Sequence, residues 1–582
     1  MAVFQLHLVK PSHYDDDGYV VQWRRSAIPS NSLAALNAIA GDSARRRALG
    51  PDVELQTFVY DETNTRIVPE DIAARIAAAG RGLVCLTGVQ SNQFPRALDL
   101  ARRFRAAGAA VAIGGFHVSG CVSMLPELPP ELREAQALGC SLYAGEVEGR
   151  FDALLQDAFA GQLKPLYNFL HDLPGMEGAP FPLLPAEIVA GTSGAVTSFD
   201  AGRGCPFQCS FCTIINVQGR KSRHRSADDV EAIIRANLAQ GVDSFFITDD
   251  NFARNRNWEE IFDRLIALRA QGLHFTFVIQ VDTLCHRIDN FIDKAGRAGV
   301  RRVFIGLENI NPDNLVEVKK KQNRIAEYRE MLLAWKRAGC FTYAGYILGF
   351  PNDTPESIRR DISIIQRELP LDILEFFCLT PLPGSEDHQR LAAKGAWMDP
   401  DLNKYDLEHV VTNHPRMSKA EWEGVYQEAW RLYYSLEHMK TIMRRAAAMR
   451  VSAGQAMFLL LWFWGCVKLE KVHPLQGGYL RRKYRLDRRP GLPVEPALLF
   501  YPRYFADLVA KHLRLAAMAA RLGLFRLSLK RHKQEARAYM DQALTPPTAA
   551  DLDALDLFQH SESSRAAGEK AKQKAREAAR AH

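Results

Sequence analysis

The chain has 582 residues, 47% of them hydrophobic and 24% charged, which suits two or three globular domains with sizeable cores. A net charge of +7 is too mild for a dedicated nucleic-acid binder, though it leaves contact with an anionic surface open. Ten cysteines over this length, three of them clustered, do not form a secreted disulfide framework, and the apolar run within Met1–Lys10 is too short for a signal peptide; a reducing cytoplasm is expected.

The N-terminal third alternates strands and helices. Val3 to Val9 is a buried-type strand followed by a polar loop, Lys10 to Gly18. Ile72 to Ala79 has helical character, Gly82 to Gly88 is a strand, Pro95 to Ala107 is helical, and Ala110 to Ile113 is a strand ending in Gly114-Gly115. This alternation predicts a parallel, doubly wound, Rossmann-like sheet, whose ligand sits beyond the carboxyl ends of the strands. Ser91 and Asn92 fall there, as do Gly114, Gly115 and His117. The paired glycines would let backbone approach a large flat ligand closely. His117 itself is expected to be a locally hydrogen-bonded loop histidine beside that ligand.

Pro174 to Pro185, with four prolines and two glycines, predicts an extended linker. Beyond it Val196 to Phe199 leads into Gly204-Cys205-Pro206-Phe207-Gln208-Cys209-Ser210-Phe211-Cys212. Cysteine thiolates are the usual ligands of iron–sulfur clusters, four for a [4Fe–4S] cube, so a C-x3-C-x2-C loop leaves one iron open. Zinc is the alternative, and would need a fourth ligand such as His224 to fold back. Strand-like runs then end at Asp249-Asp250-Asn251, Gln280 with Asp282, Glu308, Gly349 and Thr380, separated by helical stretches. Six such βα repeats predict an open (β/α)6 barrel with its site at the strand carboxyl ends. Arg203, Arg220 and Arg223 flank the cysteine loop, to balance cluster charge, to hold a carboxylate, or as solvated surface.

Ser418 to His438 carries Trp422, Tyr426, Trp430, Tyr433 and Tyr434 near i, i+4 spacing behind a capping box, and predicts a helix laid over the barrel mouth. The run Met457 to Trp464 is too short to span a bilayer and is either a core helix or an interfacial one. Basic clusters follow at Arg481-Arg482-Lys483 and Arg488-Arg489, and Leu508 to Leu529 again mixes apolar and basic residues. Ser561 to His582 is Ala-, Lys-, Arg- and Glu-rich and predicts a disordered or solvated helical tail.

The cysteine spacing, with an aromatic residue before the third cysteine, resembles the radical S-adenosylmethionine (SAM) superfamily. The N-terminal loops, with Gly145-Glu146-Val147-Glu148-Gly149, resemble the cobalamin-binding domain that precedes many such barrels, although no Asp-x-His-x-x-Gly loop is present. With this resemblance the chain divides into five segments: a cobalamin-binding-type domain (residues 1–165), a linker (166–194), a radical SAM barrel (195–405), a mostly helical region (406–545) and a tail (546–582). It implies a [4Fe–4S] cluster on Cys205, Cys209 and Cys212, SAM beside Phe211, Asp249, Asp250, Gln280, Glu308, Gly345 and Gly349, and cobalamin over Ser91, Asn92, Gly114, Gly115 and His117. The implied activity is methylation of an unactivated carbon through a 5′-deoxyadenosyl radical. Alternatives are a radical cyclase, oxidoreductase or rearranging enzyme in which cobalamin is no methyl donor, and an electron carrier without turnover. The expected partners are a small or lipid-like substrate, an electron donor such as flavodoxin or ferredoxin, no nucleic acid, and peripheral contact with the inner face of a membrane.

Overall fold

The computed structural model describes residues 2–193, 196–546 and 551–580. Gly194 and Ala195, which open the strand-like run before the cysteines and the expected barrel, lie outside them, as do Met1, 547–550 and the last two tail residues.

The first sheet has six strands: β1 (Ala2–Lys10), β2 (Val53–Asp61), β3 (Gly80–Leu86), β4 (Ala110–Gly114), β5 (Ser141–Ala144) and β6 (Leu166–Asn168). They are parallel throughout, in the order β2-β1-β3-β4-β5-β6. Helices α1 (Asn31–Arg45), α2 (Phe94–Ala106), α3 (Phe116–Met124) and α4 (Pro130–Ala137) lie among the connections. Two apolar clusters pack around this sheet, one centred on Val84, Ile113 and Leu142 and the other on Phe4, Leu6 and Leu83. The order reverses direction beside β1, which opens a crevice at the strand carboxyl ends.

The second sheet holds β7 (Val196–Phe199), β8 (Ser244–Ile247), β9 (Thr276–Val281), β10 (Val300–Glu308), β11 (Phe341–Leu348) and β12 (Ile373–Cys378). These strands pair in chain order, all parallel, and β7 and β12 do not meet, so the barrel is open as expected. Helix α5 (Glu386–Ala393) follows the exit loop of β12.

Two findings differ from the sequence expectations, and a third decides between two of them. The aromatic helix α6 (Lys419–Tyr433) runs along the last strand instead of crossing the mouth. Tyr434 Oη donates to the Leu374 carbonyl (3.0 Å), Tyr433 Oη to Leu371 (3.2 Å), and Trp430 meets Phe376 edge to face. A helix over an edge strand shields a side that would otherwise pair with another chain. Next, α7 (Leu436–Ala448) and α8 (Ala453–Gly465) complete this cover, and Leu459, Leu460 and Phe463 are buried in the barrel's core cluster, so the Met457–Trp464 run is largely core. Finally, the tail contains a helix, Glu562–Arg580, whose Ala567 and Ala571 pack on the same core. Alanines make a narrow apolar face that hydropathy alone underweights.

The basic clusters also behave differently from solvated membrane ligands. Gly478–Arg482 pairs antiparallel with Gln22–Ser26, which returns the C-terminal region to the first domain. There Arg481 is buried against Asp15 (2.9 Å), Lys483 reaches Asp15 and Asp17, and Arg489 grips both oxygens of Asp401 at 2.8 Å. These charges are answered inside the protein.

Candidate active site

The cysteine loop is held by backbone and carboxylate bonds on every side. Gly204 sits at φ +88° with the Lys221 carbonyl 2.5 Å from where a Cβ would stand, so only glycine turns the chain there. The Gly204 amide donates to Asp250 Oδ2 (3.0 Å), the Cys205 amide to the Gly219 carbonyl (3.3 Å), and the Ser210 amide to the Val318 carbonyl (3.1 Å). Ser210 Oγ donates to Asp387 of α5 (3.1 Å). Cys209 is buried and Cys205 and Cys212 are half-buried, and all three are free. Burial pushes the Cys212 thiol up to about 12.

These residues fit a cluster better than a single ion. Tetrahedral zinc at about 2.3 Å from each sulfur needs sulfurs about 3.8 Å apart. Among the described residues, the three thiols do not lie within 4.8 Å of one another, either alone or with His224. A cube spaces its ligands more widely. Gln322 Nε2 approaches Cys209 Sγ at 3.5 Å, and Lys320 Nζ lies 5.7 Å over the Phe211 ring. Burial alone would lower Lys320, but Glu308, Cys209 and Cys212 beside it hold its ammonium above the ordinary range. A cation and an N–H donor at the sulfurs are what an anionic cluster requires.

Glu308 is positioned by strain. The β10–β11 register shifts between Ile305 and Glu308, Glu308 has φ +60°, and the Asn309 amide donates to the Leu307 carbonyl (2.8 Å) around it. That is a tight i to i+2 turn of the costly hand. Its Oε1 meets Lys320 Nζ at 2.6 Å, and a Cβ on Gly306 would stand 2.8 Å from the same oxygen. A Cβ on Gly345 would stand 3.1 and 3.3 Å from Phe304 and Phe377, so glycine keeps that part of the barrel open. Phe211 joins Val318, Ile347, Phe350, Phe377 and Leu379 in one small apolar cluster beside the cysteines. Gln280 is half-buried and donates to the Asp249 carbonyl (3.4 Å).

Other expected residues have different duties. Asp249 is saturated by protein donors: the Ala201 and Gly202 amides at 2.7 Å each and Asn255 Nδ2 at 2.9 Å. It holds the start of the cysteine loop, and burial pushes its carboxyl up to about 7. Gly349 (φ +100°) is required by packing, since a Cβ would overlap Trp422 at 1.8 Å.

A cavity of about 350 Å³ lies between the carboxyl ends of the two sheets. Thr87, Gly114, Gly115 and Tyr143 line it from the first domain; Gly202, Thr248 and Asp250 do so from the barrel. Burial pushes Asp250 up to about 7. Thr248 Oγ1 and Glu148 Oε2 are buried in its wall without a partner among the described residues. Glycine-lined, mostly apolar walls with unanswered polar atoms fit a large flat ligand with a polar rim. Ser91, Asn92 and His117 do not line it. Helix α3 starts immediately after Gly115, so its first turn presents Phe116 and Ser119 to the cavity and carries His117 onto another face, where Nδ1 meets Ser91 Oγ at 3.1 Å.

The Glu146/Glu148 turn of the first domain grips the barrel. Arg203 places Nη1 2.5 Å from Glu146, Nη2 2.7 Å from Glu148 and Nε 2.6 Å from Asp200, and Arg223 holds Glu146 at 2.5 Å. All five side chains are nearly buried. Arg220, the third arginine, is exposed. Lys320 and Gln322 were not foreseen from the sequence; the Lys319-Lys320-Lys321 run, eleven residues after the strand-end Glu308, was the available signal.

Residues 201–365 match the sequence profile described as the Radical SAM superfamily. Bacteriochlorophyllide d C-12(1)-methyltransferase of Chlorobaculum tepidum is 27% identical over 362 residues, 61% of this chain and 74% of that protein. The hopanoid C-2 methylase of Rhodopseudomonas palustris is 23% identical over 385 residues, covering 65% and 70%. Among solved structures, the radical SAM methyltransferase TsrM of Kitasatospora setae, with cobalamin and a [4Fe-4S] cluster bound, superimposes with a TM-score of 0.55 at 15% identity, over 79% of this chain and 99% of that one. The cysteine loop and the open barrel behind it thus make residues 201–365 a radical SAM domain, and with the doubly wound domain before it the fold is similar to that of TsrM.

Proposed function

We propose that the chain methylates an unactivated carbon of a lipid-like substrate, with a [4Fe–4S] cluster, SAM and a corrinoid. The observation that carries this reading is that Asp250 belongs to two places at once. It lines the cavity between the sheets, and it supports the amide of Gly204, next to Cys205. A corrinoid in that cavity and SAM at the open iron would therefore be neighbours. When bound, these groups supply a 5′-deoxyadenosyl radical and a transferable methyl group. Cys205, Cys209 and Cys212 would hold the cluster, with Gln322 and Lys320 tempering its charge. Glu308 and Gln280 would accept hydrogen bonds from SAM's ammonium or ribose. Ile347 and Phe350 would flank adenine in the apolar cluster. Gly114, Gly115 and Tyr143 would seat the corrinoid, and the apolar walls would keep water from the reacting atoms.

The substrate class rests on a second surface. Helix α9 (Ala497–Arg531), ~52 Å long at 1.5 Å per residue, carries a continuous exposed apolar stripe: Leu498, Tyr501, Phe505, Val509, Leu513, Ala516, Ala520, Leu524 and Leu527. Arg503, Arg514 and Arg521 are exposed beside it. An apolar face flanked by arginines suits an anionic lipid surface, and no helix among the described residues is long and apolar enough to cross a membrane. Peripheral attachment to the inner leaflet would put the enzyme where an apolar substrate is dissolved.

The test is anaerobic reconstitution with iron, sulfide and hydroxocobalamin, followed by dithionite and SAM. Deoxyadenosine that disappears in Cys209→Ala, together with retained corrinoid, is expected. Deoxyadenosine without retained corrinoid would remove the methyl-transfer reading. Anionic liposomes should sediment the wild type, and Phe505→Glu with Leu513→Glu should stay in the supernatant; equal sedimentation would remove the membrane assignment.

A further inference from the structure

His117 and Cys121 stand four residues apart on α3, so they share one face of the helix, away from the cavity side that Phe116 and Ser119 occupy. Both are buried. His117 Nε2 lies 3.3 Å from Glu131 Oε1 of α4 and 3.9 Å from Cys121 Sγ, and the three ligand atoms fall within 4.8 Å of one another. A tetrahedral zinc ion would set an imidazole nitrogen about 3.4 Å from a carboxylate oxygen and about 3.6 Å from a thiolate sulfur. The other nitrogen, Nδ1, is taken by Ser91 Oγ at 3.1 Å, which orients the ring with Nε2 toward the group.

A fourth residue comes from the barrel. His388 on α5 is 8% exposed, its Nδ1 has no partner among the described residues, and its electrostatic neighbours are His117 and Glu131. A hydrogen-bonded trio would account for His117 and Glu131. It would leave the Cys121 thiol at a long 3.9 Å and the His388 nitrogen unanswered in a dry site.

We propose that His117, Cys121 and Glu131, completed by His388, bind a structural zinc ion that staples the first domain to the barrel. Four ligands with mixed nitrogen, sulfur and oxygen donors make a closed zinc site. The surroundings suit a staple. Gly120 of α3 packs so closely on the barrel's exit loop that a Cβ would stand 2.4 Å from the Pro383 carbonyl, and Gln389 donates to the Met124 carbonyl at 2.8 Å. One residue before His388, Asp387 holds Ser210 of the cysteine loop. An ion here would therefore fix the first domain against the helix that supports the cluster.

The experiment is metal analysis of the full chain as purified, beside the Cys205→Ala/Cys209→Ala/Cys212→Ala variant. About one zinc per chain is expected in both, since a four-ligand site outside the cluster loop does not depend on it. Zinc should be lost from Cys121→Ser and His117→Gln, and His388→Ala should surrender it to a chelator that the wild type resists. Cobalt(II) exchanged into the wild type should give sulfur-to-cobalt charge-transfer absorption with tetrahedral d–d bands, a readout that does not depend on any variant folding. A wild type with no zinc and no such cobalt spectrum overturns the site. So does zinc retained in Cys121→Ser.

Discussion

The Arg203 clamp allows an energetic test of how the two domains are joined. Arg203→Met keeps most of the side-chain volume and deletes three charge-assisted bonds. The consequences are unequal. Glu146 would keep Arg223 at 2.5 and 2.8 Å, and Asp200 would keep Arg225 at 3.4 Å. Glu148 has one oxygen already unpartnered among the described residues and is 6% exposed, and Arg203 holds the other. Leaving such a carboxylate buried and unpaired costs about 3–5 kcal/mol, a large share of the 5–15 kcal/mol typical of a domain. The cavity has walls from both domains, so the same loss should weaken corrinoid binding on the order of a hundredfold or more. Glu148→Gln removes the charge that causes the penalty, so Arg203→Met/Glu148→Gln should cost less than the sum of the single variants by at least about 1 kcal/mol. Anaerobic urea unfolding and equilibrium dialysis of hydroxocobalamin measure the two effects. Additivity within about 0.5 kcal/mol would mean that the pair is not coupled and that the clamp does not hold the domains.

Two further outcomes follow from single carboxylates. Glu375 on β12 is fully buried with Oε2 unpartnered among the described residues, and burial pushes it up to about 8. The folded state then keeps a proton that the unfolded chain loses, so stability falls as pH rises from about 4.5 to about 8 and levels off above, by up to about 4–5 kcal/mol at 1.36 per unit. Glu375→Gln should abolish that slope and be more stable than wild type at alkaline pH; a difference in urea midpoint that does not change with pH would refute this. Glu308→Gln should raise the KM for SAM about 10- to 100-fold, the worth of a hydrogen bond to a charged group, with iron and sulfide content unchanged. An unaltered KM would take Glu308 out of the SAM site.

The barrel was legible because its strands are buried apolar runs that end in polar residues: Val196–Phe199 and Phe341–Leu348 stand within a residue or two of their expected places. In the first domain β2 was missed. It is an edge strand, Val-Glu-Leu-Gln-Thr-Phe-Val-Tyr-Asp, only partly covered, and its polar residues dilute the pattern. β5 and β6, four and three residues long, are too short to carry a period. In the site, the cysteines were legible because their spacing is local. The Arg203–Glu148 pair was not, because 55 residues separate its members and only the approach of two sheets brings them together. Asp249 was legible as a residue at the right strand end but not in its role, since its donors are backbone amides that every sequence has.

The C-terminal third shows where hydropathy stops discriminating. Arg481-Arg482-Lys483 and the basic residues of α9 look alike as text: cations beside aromatic and aliphatic neighbours. What separates them is whether acids elsewhere in the fold reach them. Asp15 and Asp17 belong to the polar loop after β1, more than 460 residues away in sequence, and meet Arg481 and Lys483 across the Gln22–Ser26 ladder. Arg514 and Arg521 stay exposed beside an apolar stripe that includes Phe505 and Leu513. The Met457–Trp464 run, the more hydrophobic of the two segments, turns its Leu459, Leu460 and Phe463 into the core, while the less hydrophobic α9 leaves Leu498, Leu513, Leu524 and Leu527 in water. An interfacial helix must keep enough charge to remain soluble when detached, so the modest hydropathy of α9 is what a reversible lipid contact requires.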